Sequence, residues 1–288
     1  MSEINDAALS AARYAAVIIA YHRQDLVSAV IERLRAQTRQ PEMIVVVDNG
    51  GDIDEAALAG VGVAPVLIRR GDNPGYAVAV NVAAERARDA GIENLLVLTH
   101  DAVFGPTLAA SLLDALGADE GAGCVAPTLR WVSRPERIFS SGGVVTRGGR
   151  AYHRTDEIRH ARAVHWVDGA VLLLRLRALD AIGGMDERYF LYFEDVDTGW
   201  SLARAGWRTL VVPETAQQEP GAHPLRLGLR NMVLFARKAR LPRIPVVFAV
   251  ARRAAEELIV GVRRDRRLPV LDAGRGIADG LRDRRGKP

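Results

Sequence analysis

The chain has a single cysteine, Cys124, and only two lysines among 288 residues. One thiol closes no internal disulfide and fits a reducing, cytoplasmic setting. Nowhere do 18 apolar residues run together, so no membrane-spanning helix is expected. The start, Met1-Ser2-Glu3-Ile4-Asn5-Asp6, has no basic stretch followed by an apolar one, and no secretory leader is expected. There is no G-x-G-x-x-G after the first apolar run and no G-x-x-x-x-G-K-[ST]. Dinucleotide and P-loop binding are therefore unsupported. A Gly-rich basic phosphate loop near the N-terminus is also missing, which argues against a nucleotidyltransferase.

What charge there is lies unevenly. From Arg237 to Lys287 there are 15 Lys and Arg against 6 Asp and Glu, a net of +9, whereas the remainder carries −5. A mildly acidic body with a basic tail points to an anionic surface touched by the tail. Nucleic acid is an unlikely partner, because no aromatic side chains are interleaved with those charges. Arginine makes up 37 of the 39 basic residues, so base composition accounts for part of the bias.

Along the chain, apolar runs alternate with helical periodicity. Ala15–Ala20 reads as a buried strand, Gln24–Thr38 as an amphipathic helix and Met43–Val47 as a second strand. Strand, helix and strand within forty residues make a right-handed βαβ unit and a parallel sheet. Further strands are predicted at Val66–Ile68, Leu95–Leu98, Trp166–Leu174 and Thr209–Val212, with helices at Tyr76–Arg88 and Leu176–Ile182. Residues 130–165, rich in Arg, Gly and Ser, are expected as loops and short strands. The class is α/β with an open sheet flanked by helices.

Ligands in such sheets bind beyond the carboxyl ends of the strands. That rule selects Tyr21 with His22 and Arg23, then Asp48 with Asn49, then Thr99 with His100 and Asp101. The alternative for each is a turn, and Asp48-Asn49-Gly50-Gly51 is a good turn sequence in its own right. A second cluster is Glu194-Asp195-Val196-Asp197, which follows an aromatic run and precedes a helical pattern. Carboxylates there meet the free N–H groups and the dipole of a helix start. Helix capping and general-base chemistry are the two readings. Trp200 and Trp207, seven apart on one helix face, read as core.

These segments resemble, in order, the inverting GT-A fold glycosyltransferases of family 2, especially the rhamnosyltransferase-like branch. The matching pieces are Val17–Arg23, Ile44–Gly50, Asn73–Asn81, Leu95–Asp101, Asp168–Ala170 and Gly183–Trp207, spread over about residues 15 to 236. The resemblance implies that Asp195 is the general base, with Glu194 assisting and Asp197 structural. It implies nucleotide-sugar contacts from Ala20, Tyr21, Arg23, Asp48, Asn49, Asn73, Gly75, Asn81, His100, Asp101, Asp168 and Gly169. Asn73, Gly75 and Asn81 would shape the nucleotide pocket, Gly75 by letting backbone approach the ligand. A divalent metal, Mg or Mn, would sit on Asp101, the last acid of a D-x-D motif, and on His223. Thr99 replaces the first acid of that motif, which leaves a weaker oxygen site for a hard cation. Gly51 stands where relatives carry Ser or Thr.

The expected organisation is a GT-A catalytic domain over 1–236 and a basic, partly helical C-terminal extension over 237–288. Within the extension, Val247, Val250, Ala254, Leu258 and Val262 form an apolar helical stripe. Arg252, Arg253, Arg263, Arg264, Arg266 and Arg267 flank it. An anionic membrane surface, the catalytic body and a second subunit in a homodimer are its candidate partners. Residues 274–288 are expected to be mobile. The function implied is inverting transfer of a sugar, with rhamnose as a candidate, from a nucleotide-sugar donor to an acceptor hydroxyl on a lipid-linked or cell-envelope glycan. It would take place in the cytoplasm or on the inner face of the membrane. A catalytically silent nucleotide-sugar-binding module and a sugar nucleotidyltransferase are the alternatives.

Overall fold

A computed structural model describes residues 13–219, 221, 223–265 and 270–287, with backbone only at 258 and 261–265. Strand β1 (Tyr14–Ala20) leads through helix α1 (Gln24–Arg35) to β2 (Met43–Asp48) and β3 (Pro65–Arg69). Helix α2 (Tyr76–Asp89) and β4 (Asn94–Thr99) complete four parallel strands in the order β3-β2-β1-β4. All seven residues of β1 are buried. Ala16 and Ile18 face one core layer while Ala15, Val17 and Ile19 face the other, which is why the strand reads as an unbroken apolar run. Small side chains on α2 (Ala77, Ala79, Ala83, Ala84 and Ala87) let it lie close on the sheet.

A short β5 (Val103–Phe104), helix α3 (Leu108–Gly117) and the ten-residue β6 (Ala122–Trp131) follow, in a stretch the sequence reading leaves unassigned. The Arg- and Gly-rich middle forms β7 (Ile138–Ser140), β8 (Gly143–Val145), β9 (Ala151–His153) and β10 (Arg162–Val164), as its short apolar runs predict. Strand β11 (Val171–Arg175) then enters between β4 and β6, antiparallel to both. Helix α4 (Leu176–Ala181), helix α5 (Glu194–Arg204) and strand β12 (Arg208–Gln218) complete a mixed sheet ordered β10-β12-β6-β11-β4-β1-β2-β3.

Three helices close the chain: α6 (Leu225–Lys238), α7 (Arg243–Asp265) and α8 (Val270–Leu281). The boundary expected between 236 and 237 falls inside α6. Residues 274–287 are not a loose tail, for α8 packs along α6. Arg226 donates to Asp279 at 2.9 and 2.7 Å, and Arg237 to the carbonyls of Gly280 and Leu281 at 3.1 and 2.7 Å. Gly276 and Gly280, one turn apart, let the helices touch: a Cβ at Gly276 would stand 2.4 Å from the Arg226 carbonyl oxygen. The expected apolar stripe on α7 is split, because Val250 packs inward on Leu229 and Met232 while Val247 is 65% exposed. Of the other residues named for this segment, Arg266 and Arg267 lie outside the described residues, as do the side chains of Leu258, Val262, Arg263 and Arg264.

Candidate active site

Strand register brings the site together. Ala20 pairs with Asp48 across β1 and β2, and Ile19 with Thr99 across β1 and β4, so three strand ends share one edge. Because β11 runs antiparallel, its beginning lies at that same edge: the Thr99 N–H donates to the Ala170 carbonyl at 3.0 Å. Asp168 and Gly169 therefore stand beside Thr99, although more than sixty residues separate them in sequence. The start of α5 closes the arrangement.

The result is a cavity of about 440 Å³, lined by Thr99, Asp168, Gly169, Glu194, Asp195 and His223 among the expected residues. Phe139, Trp166, Tyr192 and Phe193 add aromatic walls, and Arg253 of α7 also lines the cavity. Asp195 accepts from the Val196 N–H at 2.7 Å. Burial and then the neighbouring Asp168 charge push its carboxyl up to about 7. Glu194 is 6% exposed, its Oε2 has no hydrogen-bond partner, and burial followed by the Asp195 charge raises it well above the carboxylate range. Burial also raises Asp168, to about 6. Desolvation thus favours the neutral form of both carboxyls, and Asp195, at about 7, can exchange a proton near neutral pH. Asp197 is spent otherwise, in a 2.5 Å ion pair with Lys238.

Two non-glycine residues, Tyr192 and Phe193, carry φ of 70° and 73° just before α5, a costly conformation that persists only where surroundings enforce it. Asn231 of α6 supplies that enforcement. Its fully buried side-chain amide donates to the carbonyls of Leu191 and Tyr192, both at 2.7 Å. Arg230 holds the Asn231 oxygen at 2.9 Å and is itself anchored to the Gly286 carbonyl at 2.6 Å. Sequence reasoning missed this relay, whose only visible signal is an Arg-Asn pair inside an apolar helical run. It also missed Tyr76, whose hydroxyl donates to the Gly169 carbonyl at 2.6 Å. His153 went unnoticed too, sandwiched between Phe139 and Trp166 at ring distances of 4.6 and 4.8 Å. Burial lowers His153 to about 4, so its 3.9 Å approach to Asp168 is not an ion pair at neutral pH.

The expected nucleotide side forms a shoulder next to the cavity, with several side chains placed differently from expectation. Asp48 is fully buried, and its oxygens accept from the Gly50, Gly51 and Ile53 N–H groups at 3.0, 2.8 and 2.9 Å. It shapes the loop and offers no accessible atom to a nucleoside. Asn81 is likewise consumed: it donates to the Met185 carbonyl and to Glu187, both at 2.9 Å, and accepts from the Met185 N–H at 2.8 Å. It ties α2 to the loop before Tyr189 and does not line the cavity. Gly75, at φ 106°, makes its close approach to protein: a Cβ there would stand 2.3 Å from the Phe190 carbonyl oxygen. The loop after β3 is thereby fastened to the segment that leads into Asp195.

The other residues expected on this side are placed as follows. Tyr21 is 48% exposed, with its ring 4.2 Å from that of His22. The Arg23 guanidinium is forked onto Asp25 at 3.0 and 2.9 Å. Asn49 donates to the Gly75 carbonyl at 3.3 Å, and its buried Oδ1 has no partner. Asn73 turns the chain at φ 46°. His100 sits under the strand ends, its Nδ1 donating to the Ile19 carbonyl at 3.2 Å.

His223 lines the cavity, whereas Asp101 is not among its lining residues, although its charge acts on Asp168. Yet no group of three His, Cys, Asp or Glu able to hold a metal ion occurs among the described residues. Thr99, where a first acid would stand, leaves Asp101 alone on its loop. Among the described residues, side chains do not preform the divalent-metal site expected of Asp101 and His223.

Comparison with known proteins agrees with this architecture. The model of the family described as "Glycosyltransferase like family 2" matches residues 11–260. The N-acetylglucosaminyl-diphospho-decaprenol L-rhamnosyltransferase of Mycobacterium tuberculosis is 30% identical over 235 residues, covering 72% of this chain and 76% of the relative. The O-antigen biosynthesis protein RfbC of Myxococcus xanthus is 30% identical over 210 residues, covering 67% of this chain but 16% of its own length. Among solved structures, GalNAc-T7 with UDP, GalNAc and Mn2+ superposes with a TM-score of 0.61 at 14% identity, over 78% of this chain and 47% of that one. This chain thus spans about half of GalNAc-T7. The mannosyltransferase PcManGT of Pyrobaculum calidifontis, in complex with GDP-Man and Mn2+, gives 0.59 at 16% identity, over 94% and 87%. At such identities the structures speak to the fold, which is that of GT-A enzymes.

Proposed function

The chain belongs to glycosyltransferase family 2 and is a glycosyltransferase; from that premise we propose that it uses Asp195 as base in an inverting transfer onto a lipid-linked glycan acceptor. In this reading an acceptor hydroxyl gives its proton to Asp195 and its oxygen attacks the anomeric carbon of the donor sugar. The bond to the nucleoside diphosphate breaks on the opposite face, and the diphosphate leaves with the bonding electrons. Rhamnose is the first sugar to try, since the mycobacterial relative is named for rhamnosyl transfer to a diphospho-decaprenol acceptor.

One observation carries the reading. Asp195 stands in a cavity with aromatic walls suited to a sugar ring, its carboxyl held near neutrality by burial and Asp168. A base so tuned removes a proton at physiological pH and holds it through the step, an effect worth roughly 10²–10⁴-fold. Glu194 beside it is buried with its carboxyl raised, so desolvation disfavours its charged form.

The donor would lie along the shoulder formed by Ala20, Tyr21, Arg23, Asn49 and Asn73, its diphosphate near Asp101, His100 and Gly169. Asp101 is the side chain that would share a divalent cation with that diphosphate. Because the protein does not itself preform the metal site, no step here is routed through the ion. Residues 1–236 would carry the chemistry and 237–288 would cover it, placing the enzyme at the inner face of the membrane that holds its acceptor.

The test is a transfer assay with UDP-, dTDP- and GDP-sugars and a prenyl-diphosphate glycan, following nucleoside diphosphate release and product anomeric configuration by NMR. Stoichiometric release with inversion is expected. Retention of configuration, or no release with any donor, would overturn the reading.

A further inference from the structure

Helix α7 has two unlike faces. Towards the body, Val246, Ala249, Val250 and Ala254 pack with Leu229, Met232 and Val233 of α6 and Ala273 of α8. Away from it, Ile244, Val247, Phe248 and Ile259 are 72%, 65%, 72% and 53% exposed, and Ala251 and Ala255 between them are also exposed. At about 100° per residue these six positions fall within about a third of the helix circumference. Soluble surfaces seldom present so continuous an apolar stripe without a partner for it.

Cations frame the stripe. Arg243 and Arg252 are exposed on its two edges, and Arg240 precedes the helix. Arg147 is exposed on the turn between β8 and β9, where Gly148 lies so near α7 that a Cβ would stand 2.5 Å from the Pro245 carbonyl oxygen. Glu256, near the stripe, is paired with Arg150 at 2.6 Å and Arg252 at 2.7 Å. Among the described residues no helix is long and apolar enough to cross a membrane.

We propose that this face of α7 docks in the plane of an anionic phospholipid bilayer. An apolar stripe edged by arginines sinks to the level of the acyl boundary while its cations meet lipid phosphates. A second copy of this chain suits the face poorly, since a twofold contact would set the same arginine frame against itself. Docking also has a use at the site: Arg253, on the inward side of α7, lines the catalytic cavity. A helix is only about 10 Å across, so a docked α7 holds the cavity wall within about one helix diameter of the lipid. An acceptor whose sugar is joined to a lipid by phosphate could then reach Asp195 without leaving the bilayer. That use rests on the proposed lipid-linked acceptor, whereas the docking itself does not.

The experiment is co-sedimentation of the full chain with vesicles of phosphatidylcholine, alone or with roughly one-third phosphatidylglycerol. The comparison variant is Val247→Glu with Phe248→Glu. Light scattering reports the oligomeric state, and thermal shift with UDP, dTDP and GDP is measured in parallel. The wild type should bind anionic vesicles about tenfold better than neutral ones, less so at high salt, and the variant should lose about tenfold with an unchanged nucleotide shift. Absent binding to anionic vesicles, or equal binding by the variant, overturns the docking. So does a wild-type dimer that the variant splits while neither binds vesicles. A missing nucleotide shift in both proteins would instead sink the donor reading and leave the docking to stand on the vesicle result.

Discussion

The side-chain amide of Asn231 donates to the carbonyl of Tyr192 at 2.7 Å, three residues before Asp195. Through that bond and its twin to Leu191, helix α6 enforces the left-handed pair Tyr192–Phe193 that aims the start of α5 into the cavity. Asn231→Ala removes these two hydrogen bonds to partly buried carbonyls and loosens the turn, at about 1–3 kcal/mol of stability. The expected outcome is a kcat lowered by at least about tenfold with nucleoside diphosphate affinity nearly unchanged, because the donor shoulder lies on other loops. Steady-state kinetics with calorimetric nucleotide binding checks this. Equal losses in both would show a general loosening instead.

Asp195 makes a pH prediction. Its carboxyl titrates at about 7 in the fold, pushed up by burial and Asp168, against an ordinary value of about 3.9. As a base it works when deprotonated, so kcat/KM should rise from pH 5 and level off above about pH 7. The linkage runs the other way: the folded state holds a proton that the unfolded state releases. Stability is therefore full below about pH 4 and falls as pH rises through about 7. Asp195→Asn, a mimic of the protonated form, should lose roughly 10²–10⁴-fold in turnover and yet melt higher than wild type at pH 8. A variant melting lower at pH 8 would contradict the raised carboxyl.

Asp48 shapes a loop, and its substitution should report that. Asp48→Ala removes the acceptor of three backbone N–H groups, of which that of Ile53 is buried. A loss of about 2–4 kcal/mol of unfolding free energy is expected in chemical denaturation without any nucleotide present. Nucleotide affinity should fall as a consequence. Intact stability with lost affinity would restore a direct contact.

Metal binding should depend on the donor. With Asp101 as the one carboxylate on its loop and no group of three ligands among the described residues, the protein alone offers too few oxygens to a hard cation. Titration of Mn²⁺ by calorimetry should show no binding below about millimolar without nucleoside diphosphate, and binding once it is present. Tight binding by the free protein would refute this.

Much of the architecture was legible because buried parallel strands leave a continuous apolar signature. Ala15–Ala20, Met43–Val47 and Leu95–Leu98 stand where their composition put them. The acids at 194–197 were legible as a helix start, and the family resemblance singled out Asp195. Other positions were seen but not their employment. Asp48, Gly75 and Asn81 are conspicuous residue types, yet whether each meets a ligand or protein depends on what lies opposite. The opposing groups, Phe190 for Gly75 and Met185 for Asn81, lie more than a hundred residues away in the chain.

The sequence by itself determined the sheet, its helices, the strand-end edge and the reactive acids, since these follow from local periodicity and from the chemistry that residue types can perform. Only the tertiary structure shows that the Asp195 carboxyl is raised, because desolvation and the Asp168 charge are properties of the assembled cavity. It alone revealed that α8 locks onto α6 and that Asn231 holds the catalytic turn. It also settled which face of α7 is left open, for a helix's apolar stripe does not say which of its edges a neighbour will cover.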